Sequence, residues 1–408
     1  MTPQSRVPLA FTPYQKFVVA LLAFLQFTII LDFMILSPLG AILIPQLNIT
    51  PVQFGAVVSA YAFSAGLSGL IAAGFADRFD RKKMLLFFYT GFVVATLFCG
   101  IAPNYELLLV ARMMTGIFGG VIGSIVMAIT TDLFPFNMRG RVMGVVMTAF
   151  AASQVLGIPV GLVLANAWGW HAPFLMIVGV SSAVGVAIVL FLKPINEHLQ
   201  KKSERSPFRH LLKTVTTPRY VQGYTATMLL STGGFMLMPF SSAFMVHNVQ
   251  ISIEKLPIIY AVTGVFSIFM GPLIGRMCDR LGKFKVFAFG CFWTILMVTF
   301  YTHLGPTSIP VVIFINVLLF LGITSRMISS SALLSAVPKP ADRGAYKAVS
   351  NSLQQISGGV SAAVAGLIVF RATDGHLEHF DRIGYVVTMT TLITMVLMYF
   401  IDRRIQKD

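Results

Sequence analysis

The stretch GFADRFDRKKMLL, Gly74 to Leu86, sets Asp77, Arg78, Asp80, Arg81, Lys82 and Lys83 between two apolar runs. About 202 residues later, GRMCDRLGKFK, Gly275 to Lys285, repeats it: Asp279 and Arg280 answer Asp77 and Arg78, and only the leading glycine is out of step. The echo extends in both directions. DFMILSP (Asp32 to Pro38) meets GFMLMP (Gly234 to Pro239), and PFNMRGR from Pro135 meets PKPADRGAYK from Pro338. A repeat offset of half the chain implies two halves of like topology, residues 1–192 and 219–408. Between them runs KPINEHLQKKSERSPFRHLLKTVTTP, the most polar stretch of the chain, whose mixed charges and prolines suit a cytoplasmic linker over residues 193–218.

Of the 408 residues, 56% are hydrophobic and only 11% charged, far from the balance of a soluble domain. About 20 helical residues span a bilayer, and the apolar runs mostly exceed that. They start near Tyr14, Val52, Met84, Tyr105, Val142, Ala172, Tyr220, Leu256, Val286, Ser308, Ala345 and Ile383. Backbone groups in hydrocarbon must be satisfied within their own segment, and no period-two alternation of a barrel is visible. The expected fold class is therefore all-α membrane, with twelve transmembrane helices in two pseudo-symmetric six-helix bundles. Pro3 to Lys16 lacks the charged, apolar and small-residue regions of a signal peptide, so the first helix is expected to be retained.

In a soluble protein a net charge of +15 would point to nucleic acid. Position decides otherwise. With the N-terminus in the cytoplasm, every Lys and Arg falls on that side except Lys255, Arg371 and Arg382 outside and Arg112 and Arg326 within helices. This bias puts both termini in the cytoplasm of a bacterial-type inner membrane and assigns the positive balance to topology and anionic lipid. Cys99, Cys278 and Cys291 form no CxxC pair, so neither a disulfide framework nor a metal site is indicated, and no cofactor is expected. HExxH, GxSxG and P-loop motifs are absent from the sequence, and the histidines fall in loops or near helix ends. Enzymatic and ATP-driven functions drop out.

Two like-oriented six-helix halves resemble the major facilitator superfamily, and particular motifs carry the resemblance. GFADRFDRKKMLL is similar to its signature loop GxLaDRxGRkxxl between helices 2 and 3, with Asp80 where glycine is usual. LLVARMMTGIFGG, Leu108 to Gly120, resembles the helix 4 motif RxxqGxgaa, with Thr115 in place of glutamine. GIPVGLVLANAWGWHAPF, Gly157 to Phe174, resembles GxPxGxxLxxxxGWRxxF of the twelve-helix drug/proton antiporter branch, which includes sugar-efflux proteins; His171 replaces its arginine. The resemblance implies a secondary transporter working by alternating access, and for the branch a proton-coupled multidrug or sugar exporter.

Under that resemblance Gly74, Asp77, Arg78 and Arg81, with Asp132 at the end of helix 4 and the second copy Asp279 and Arg280, form a gate. Asp77 would meet the positive N-terminal end of helix 11 near Gly344, and Arg81 would pair with Asp132, latching the halves on the cytoplasmic side. The plainer alternative is a charged anchor that only holds topology. Gly116, Gly119, Gly120 and Gly123 read as a close-packing face. Gly157, Pro159 and Gly161 read the same way, with a bend at Pro159, although Ser153 and Ile158 depart from the branch's fuller pattern.

Asp32, in FTIILDFMILSP, is the one acid placed deep within a helix. An ionised side chain there costs at least ~2.5–3.5 kcal/mol. Two readings stand: a fixed ion pair with Arg112 that serves packing, or a cavity-facing carboxylate that takes and releases a proton as hydration and substrate change. Relatives in the resembling branch use a helix 1 acid for coupling. Arg326, the other buried charge, either anchors an anionic or carbonyl-bearing substrate or bonds to helix-end carbonyls. Gln26, Tyr61, Gln154, Tyr224, Ser231, Asn351, Gln354 and Gln355 are candidates to line the substrate cavity or to tie helices together. The leading expectation is a monomeric proton-coupled exporter of small amphipathic organic compounds. The alternatives are a proton symporter or uncoupled facilitator of a polar metabolite such as a sugar or organic anion, and a transporter-like sensor.

Overall fold

A computed structural model describes residues 10–75, 79–196, 199, 207–339 and 342–406. Its helices are α1 (Pro13–Gln46), α2 (Pro51–Phe75), α3 (Arg81–Gly100), α4 (Tyr105–Leu133), α5 (Phe136–Ala152), α6 (Ile158–Trp168), α7 (Ala172–Phe191), α8 (Pro207–Thr216), α9 (Pro218–His247), α10 (Leu256–Leu281), α11 (Lys283–Thr302), α12 (Ile309–Leu334), α13 (Arg343–Ile368) and α14 (Phe380–Ile405). A π turn, Ser153–Gly157, joins α5 to α6, and the two make one crossing. Among the described residues 11 helical spans are long and apolar enough to cross a membrane. The one remaining crossing, α13, eleventh in chain order, spans 26 residues and falls below that apolarity because it carries Arg343, Lys347, Asn351, Gln354 and Gln355.

Helices begin where the apolar runs do, with one exception. The fifth crossing starts at Phe136, ahead of Val142, because Arg139 lies on its first turn rather than in a loop. Arg139 Nε donates to Phe134 O (2.9 Å) and Nη2 to Thr131 O (2.8 Å), satisfying carbonyls left open at the end of α4. The linker also departs from a plain surface loop. It contains α8, which buries Leu211 and Thr214 and packs against α2, α9 and α13.

The chain enters α1 and leaves α14 on one face, here the terminal face. At the opposite, far face a single apolar core takes Leu43, Phe54 and Phe174 from the first bundle and Phe240, Tyr301 and Phe380 from the second. Toward the terminal face the core divides. Leu22, Tyr89 and Ile129 belong to one cluster, Tyr224, Phe287 and Met398 to another. The bundles are thus fastened at the far face and part toward the termini.

Backbone contact makes that fastening tight. The repeat-related prolines Pro38 and Pro239 bring α1 and α9 together: Ser242 Oγ donates to Ser37 O (2.9 Å) and accepts from Ala41 N (3.3 Å). Pro38 has no N–H to give Met34 O, so α1 is locally short of a ladder bond at this crossing. Between α2 and α13, a Cβ on Gly55 would lie 2.8 Å from Ala362 O, and one on Gly366 would lie 2.8 Å from Pro51 O. Ser59 Oγ donates across the same seam to Gly359 O at 2.8 Å. Small residues permit such approach where lipid supplies no hydrophobic drive between helices.

Gly366→Leu should therefore overpack the α2–α13 seam and destabilise the protein by ~1–3 kcal/mol, seen as a lowered thermal midpoint in detergent. Gly144→Ala, whose Cβ meets nothing within 4 Å, should leave the midpoint unchanged.

Candidate proton-coupling and substrate site

The helix 4 glycines position the buried charges. A Cβ on Gly116 would collide with Tyr61 O, and one on Gly120 would collide with Ala65 O, so α4 lies directly on α2. Arg112, one turn before Gly116, is thereby laid over the Tyr61 ring, 4.6 Å from its centroid. Its Nη1 donates to Asp32 Oδ2 at 2.8 Å and to Asp32 O at 3.3 Å. Thr96 Oγ1 on α3 donates to Asp32 Oδ1 at 3.4 Å. Asp32 is 0% exposed, Arg112 1% and Tyr61 2%, so the pair is fully desolvated among α1, α2, α3 and α4. In this conformation Asp32 faces the interior of the first bundle, not an open cavity. Arg112 lies about 10 Å along α4 from its far-face end.

Arg326 lies in the second bundle on α12, 6% exposed. Its Nη1 is 3.8 Å from where a Cβ on Gly233 of α9 would be, and Gly290 lets α11 lie against its backbone and stem. Among the described residues no carboxylate pairs with it, and its Nε has no hydrogen-bond partner.

The polar candidates separate. Tyr61 joins the Asp32 cluster, and Gln26 sits two turns toward the terminal face, its Nε2 3.8 Å from a Cβ placed on Gly123. Tyr224 is buried against Tyr346, ring centroids 4.9 Å apart, and Ser231 Oγ turns back on Met228 O at 2.8 Å. Gln154 lies on the π turn, its backbone carbonyl against Gly264 of α10. Asn351 and Gln354 are exposed in line with Lys347 on α13, and Gln355 is half-buried. A polar stripe on a spanning helix faces water rather than lipid, so α13 borders the aqueous side of the parted bundles. Three neighbours of Asp32 or Arg112, Thr96, Cys99 and Thr115, had no sequence signal, since threonines and a lone cysteine in apolar helices carry no pattern.

The helix 5 motif is a packing device with a register slip. Pro159 cannot donate to Val155 O, and the ladder shifts to a π turn in which Ile158 N bonds Ser153 O. Gly157 and Gly161 then receive Leu31 and Ile35 of α1, each leucine or isoleucine methyl 2.6 Å from where a Cβ would be.

At the terminal face Arg81 Nε bonds Asp132 Oδ2 at 3.0 Å, and Asp80 caps α3 by accepting Lys83 N at 3.0 Å. Gly74 lies in the last turn of α2. Asp77 and Arg78 fall outside the described residues. Asp279 and Arg280 are exposed and, among the described residues, have no ion-pair partner; Asp279 borders a cleft of about 370 Å³ with Lys283 and Asp402.

The family model described as Major Facilitator Superfamily matches residues 22–365 and 223–407. The chain belongs to the Major Facilitator Superfamily. It is 27% identical over 381 residues to the uncharacterized MFS-type transporter YceJ of Bacillus subtilis, covering 91% of this chain and 94% of the relative. A probable sugar efflux transporter of Helicobacter pylori is 22% identical, covering 86% and 87%. A chloramphenicol efflux pump of Mycobacterium tuberculosis is 24% identical, covering 60% and 59%. In fold the chain is similar to a bacterial homolog of the human lysosomal transporter Spinster, in its inward-facing and occupied conformation (TM-score 0.72, 15% identity, covering 97% and 96%). It is equally similar to the nucleoside transporter NupG (TM-score 0.72, 13% identity, covering 95% and 99%). The protein is thus a multi-pass membrane transporter of a small-molecule substrate, not an enzyme.

Arg112→Gln should cost ~3–5 kcal/mol by leaving Asp32 buried and unpaired. The double variant Asp32→Asn/Arg112→Gln should recover most of that loss in thermal midpoint.

Proposed function

We propose that the protein is a proton-coupled exporter of small amphipathic organic compounds, with Asp32 as the proton carrier. The observation that carries this reading is the desolvated Asp32–Arg112 pair beneath a far-face core shared by both bundles. Burial favours the neutral acid and the guanidinium favours the carboxylate, so contact with Arg112 decides which form is held. When the far face opens, water screens the guanidinium and brings a proton from that side, so Asp32 is protonated and leaves Arg112, which keeps the Tyr61 ring as its partner. When that face closes, the proton is released toward the terminal face, the ion pair re-forms and substrate enters. Two halves, residues 1–192 and 219–408, rock about the α2–α13 seam and carry the site from one side to the other. The names of the efflux relatives agree with outward transport.

The bias of basic residues orients this cycle, with both termini in the cytoplasm of an inner membrane and the protein acting as a monomer. The conformation with a closed far-face core is then closed to the outside. A second reading, a facilitator in which Asp32 is a packing residue, draws on the same complete burial of the pair.

In liposomes with an internal pH dye, a transported compound should dissipate an imposed proton gradient with wild type and at least about tenfold more slowly with Asp32→Asn. Equal rates of compound crossing in both, without proton movement, would make the facilitator the right description. For orientation, a cysteine placed at Thr373 in a cysteine-free background should react with a membrane-impermeant maleimide in intact cells, while one at Lys285 should react only after lysis.

A further inference from the structure

We propose that Arg326 binds the carboxylate of the transported compound, so that the substrate class is amphipathic monocarboxylates. The inference rests on the transporter reading above and deepens it. Besides Arg81 at the terminal end of α3, two buried guanidiniums stand within the spanning helices, and among the described residues only Arg112 of these two has a counter-charge. Arg326 is equally cut off from bulk water, yet its Nε has no partner and no acid of the described residues reaches it. Its polar neighbour is the buried Cys291 thiol, a weak acceptor. On α14, which packs against α9, the Thr391 hydroxyl is fully buried and, among the described residues, without a hydrogen-bond partner. It lies one turn from Val387, whose Cγ1 is 3.2 Å from the Cβ position of Gly233.

The internal repeat shows where the acid has gone. The alignment of DFMILSP with GFMLMP puts Gly234 at the counterpart of Asp32. A Cβ at Gly234 would meet nothing within 4 Å, and its neighbour Gly233 is the residue that the Arg326 Nη1 approaches. The second bundle holds a buried cation at a position of its own and has glycine where the first bundle puts its carboxylate. A single guanidinium with five donors matches one carboxylate bidentately, and one positive charge balances one negative. The apolar part of such a ligand has a surface close by. Phe235 on α9 and Phe33 on α1, half-buried with centroids 5.6 Å apart, meet across the two bundles. Lys347, Asn351 and Gln354 flank α9 on α13 with an exposed polar approach.

The test is binding, read without flux, so that it and the proton assignment can fail separately. Purified protein in detergent is titrated with 1-naphthoate, 1-naphthamide, 1-naphthylmethylamine, octanoate, sodium chloride and inorganic phosphate while the thermal midpoint is followed. The carboxylates should raise the wild-type midpoint and the amide, amine and inorganic anions should not. Arg326→Gln should weaken the apparent affinity for 1-naphthoate at least tenfold, Arg326→Lys should weaken it less, and Asp32→Asn should still bind. If Arg326→Gln does not fold, Thr391→Val should lower the affinity severalfold in a folded protein. Equal shifts with the amide or amine, equal shifts with chloride or phosphate, no shift with either carboxylate, or full affinity in Arg326→Gln overturns the assignment.

Discussion

A charge within hydrocarbon must find its counter-charge inside the protein, and the two bundles answer that demand differently. In the first, Asp32 and Arg112 close on each other at 2.8 Å, with the Tyr61 ring and the Thr96 hydroxyl completing the shell. Four helices have to converge for this, and the glycine face of α4 lets them do so. In the second, no carboxylate of the described residues pairs with Arg326. The repeat does not carry these charges across: Gly234 answers Asp32 and the exposed Phe314 answers Arg112. The halves share a scaffold and differ in the electrostatic task set at its centre.

A rocking mechanism needs contacts that part and contacts that hold. The parting contacts are side-chain clusters, separate at the terminal face and shared at the far face. The holding contacts are backbone against backbone. Along α2 and α13 they run from Gly55 and Gly366 near the far face to Gly66, whose Cβ would lie 2.8 Å from Ser352 O. A seam close at both ends can turn but cannot easily separate, which suits it to be an axis. The π turn at Ser153–Gly157 gives the opposite flank a similar close approach to α10 at Gly264.

The fold was legible because apolar run length, the repeat and the distribution of Lys and Arg each report on the bilayer rather than on detailed packing. The Asp32–Arg112 pair was legible for the same reason: two opposite charges in apolar helices have few partners to choose from. Arg139 was misplaced because a basic residue near a helix end looks like a loop residue when its role is to bond the preceding helix's carbonyls. Lys347 likewise resembles a loop residue in sequence, although it continues the polar stripe of α13. Thr96 gave no sign of its place, since which threonine touches a carboxylate depends on helix rotation that composition does not encode. The linker helix α8 was hidden by its own charge, its polarity outweighing the few apolar positions it buries.

The signature loop illustrates how geometry separates a brace from a gate. Arg81 and Asp132 belong to α3 and α4, both in the first bundle, so their bond need not break when the bundles move apart. A pair of that kind adds no barrier to the cycle and fixes the loop against its own half, where Asp80 also caps α3 and Arg81 N bonds Ile195 O at 3.0 Å. Any gating by this loop has to come from a bond between bundles, which the expected Asp77 contact with α13 would be and the Arg81 pair is not. The second copy has Asp279 and Lys283 around a cleft, and Leu334 stands at the repeat position of Asp132. With no acid there to receive Lys283, that half lacks the same brace; Gly282, at φ 94, is the only residue between α10 and α11, and the Phe284 ring packs on Tyr399 of α14.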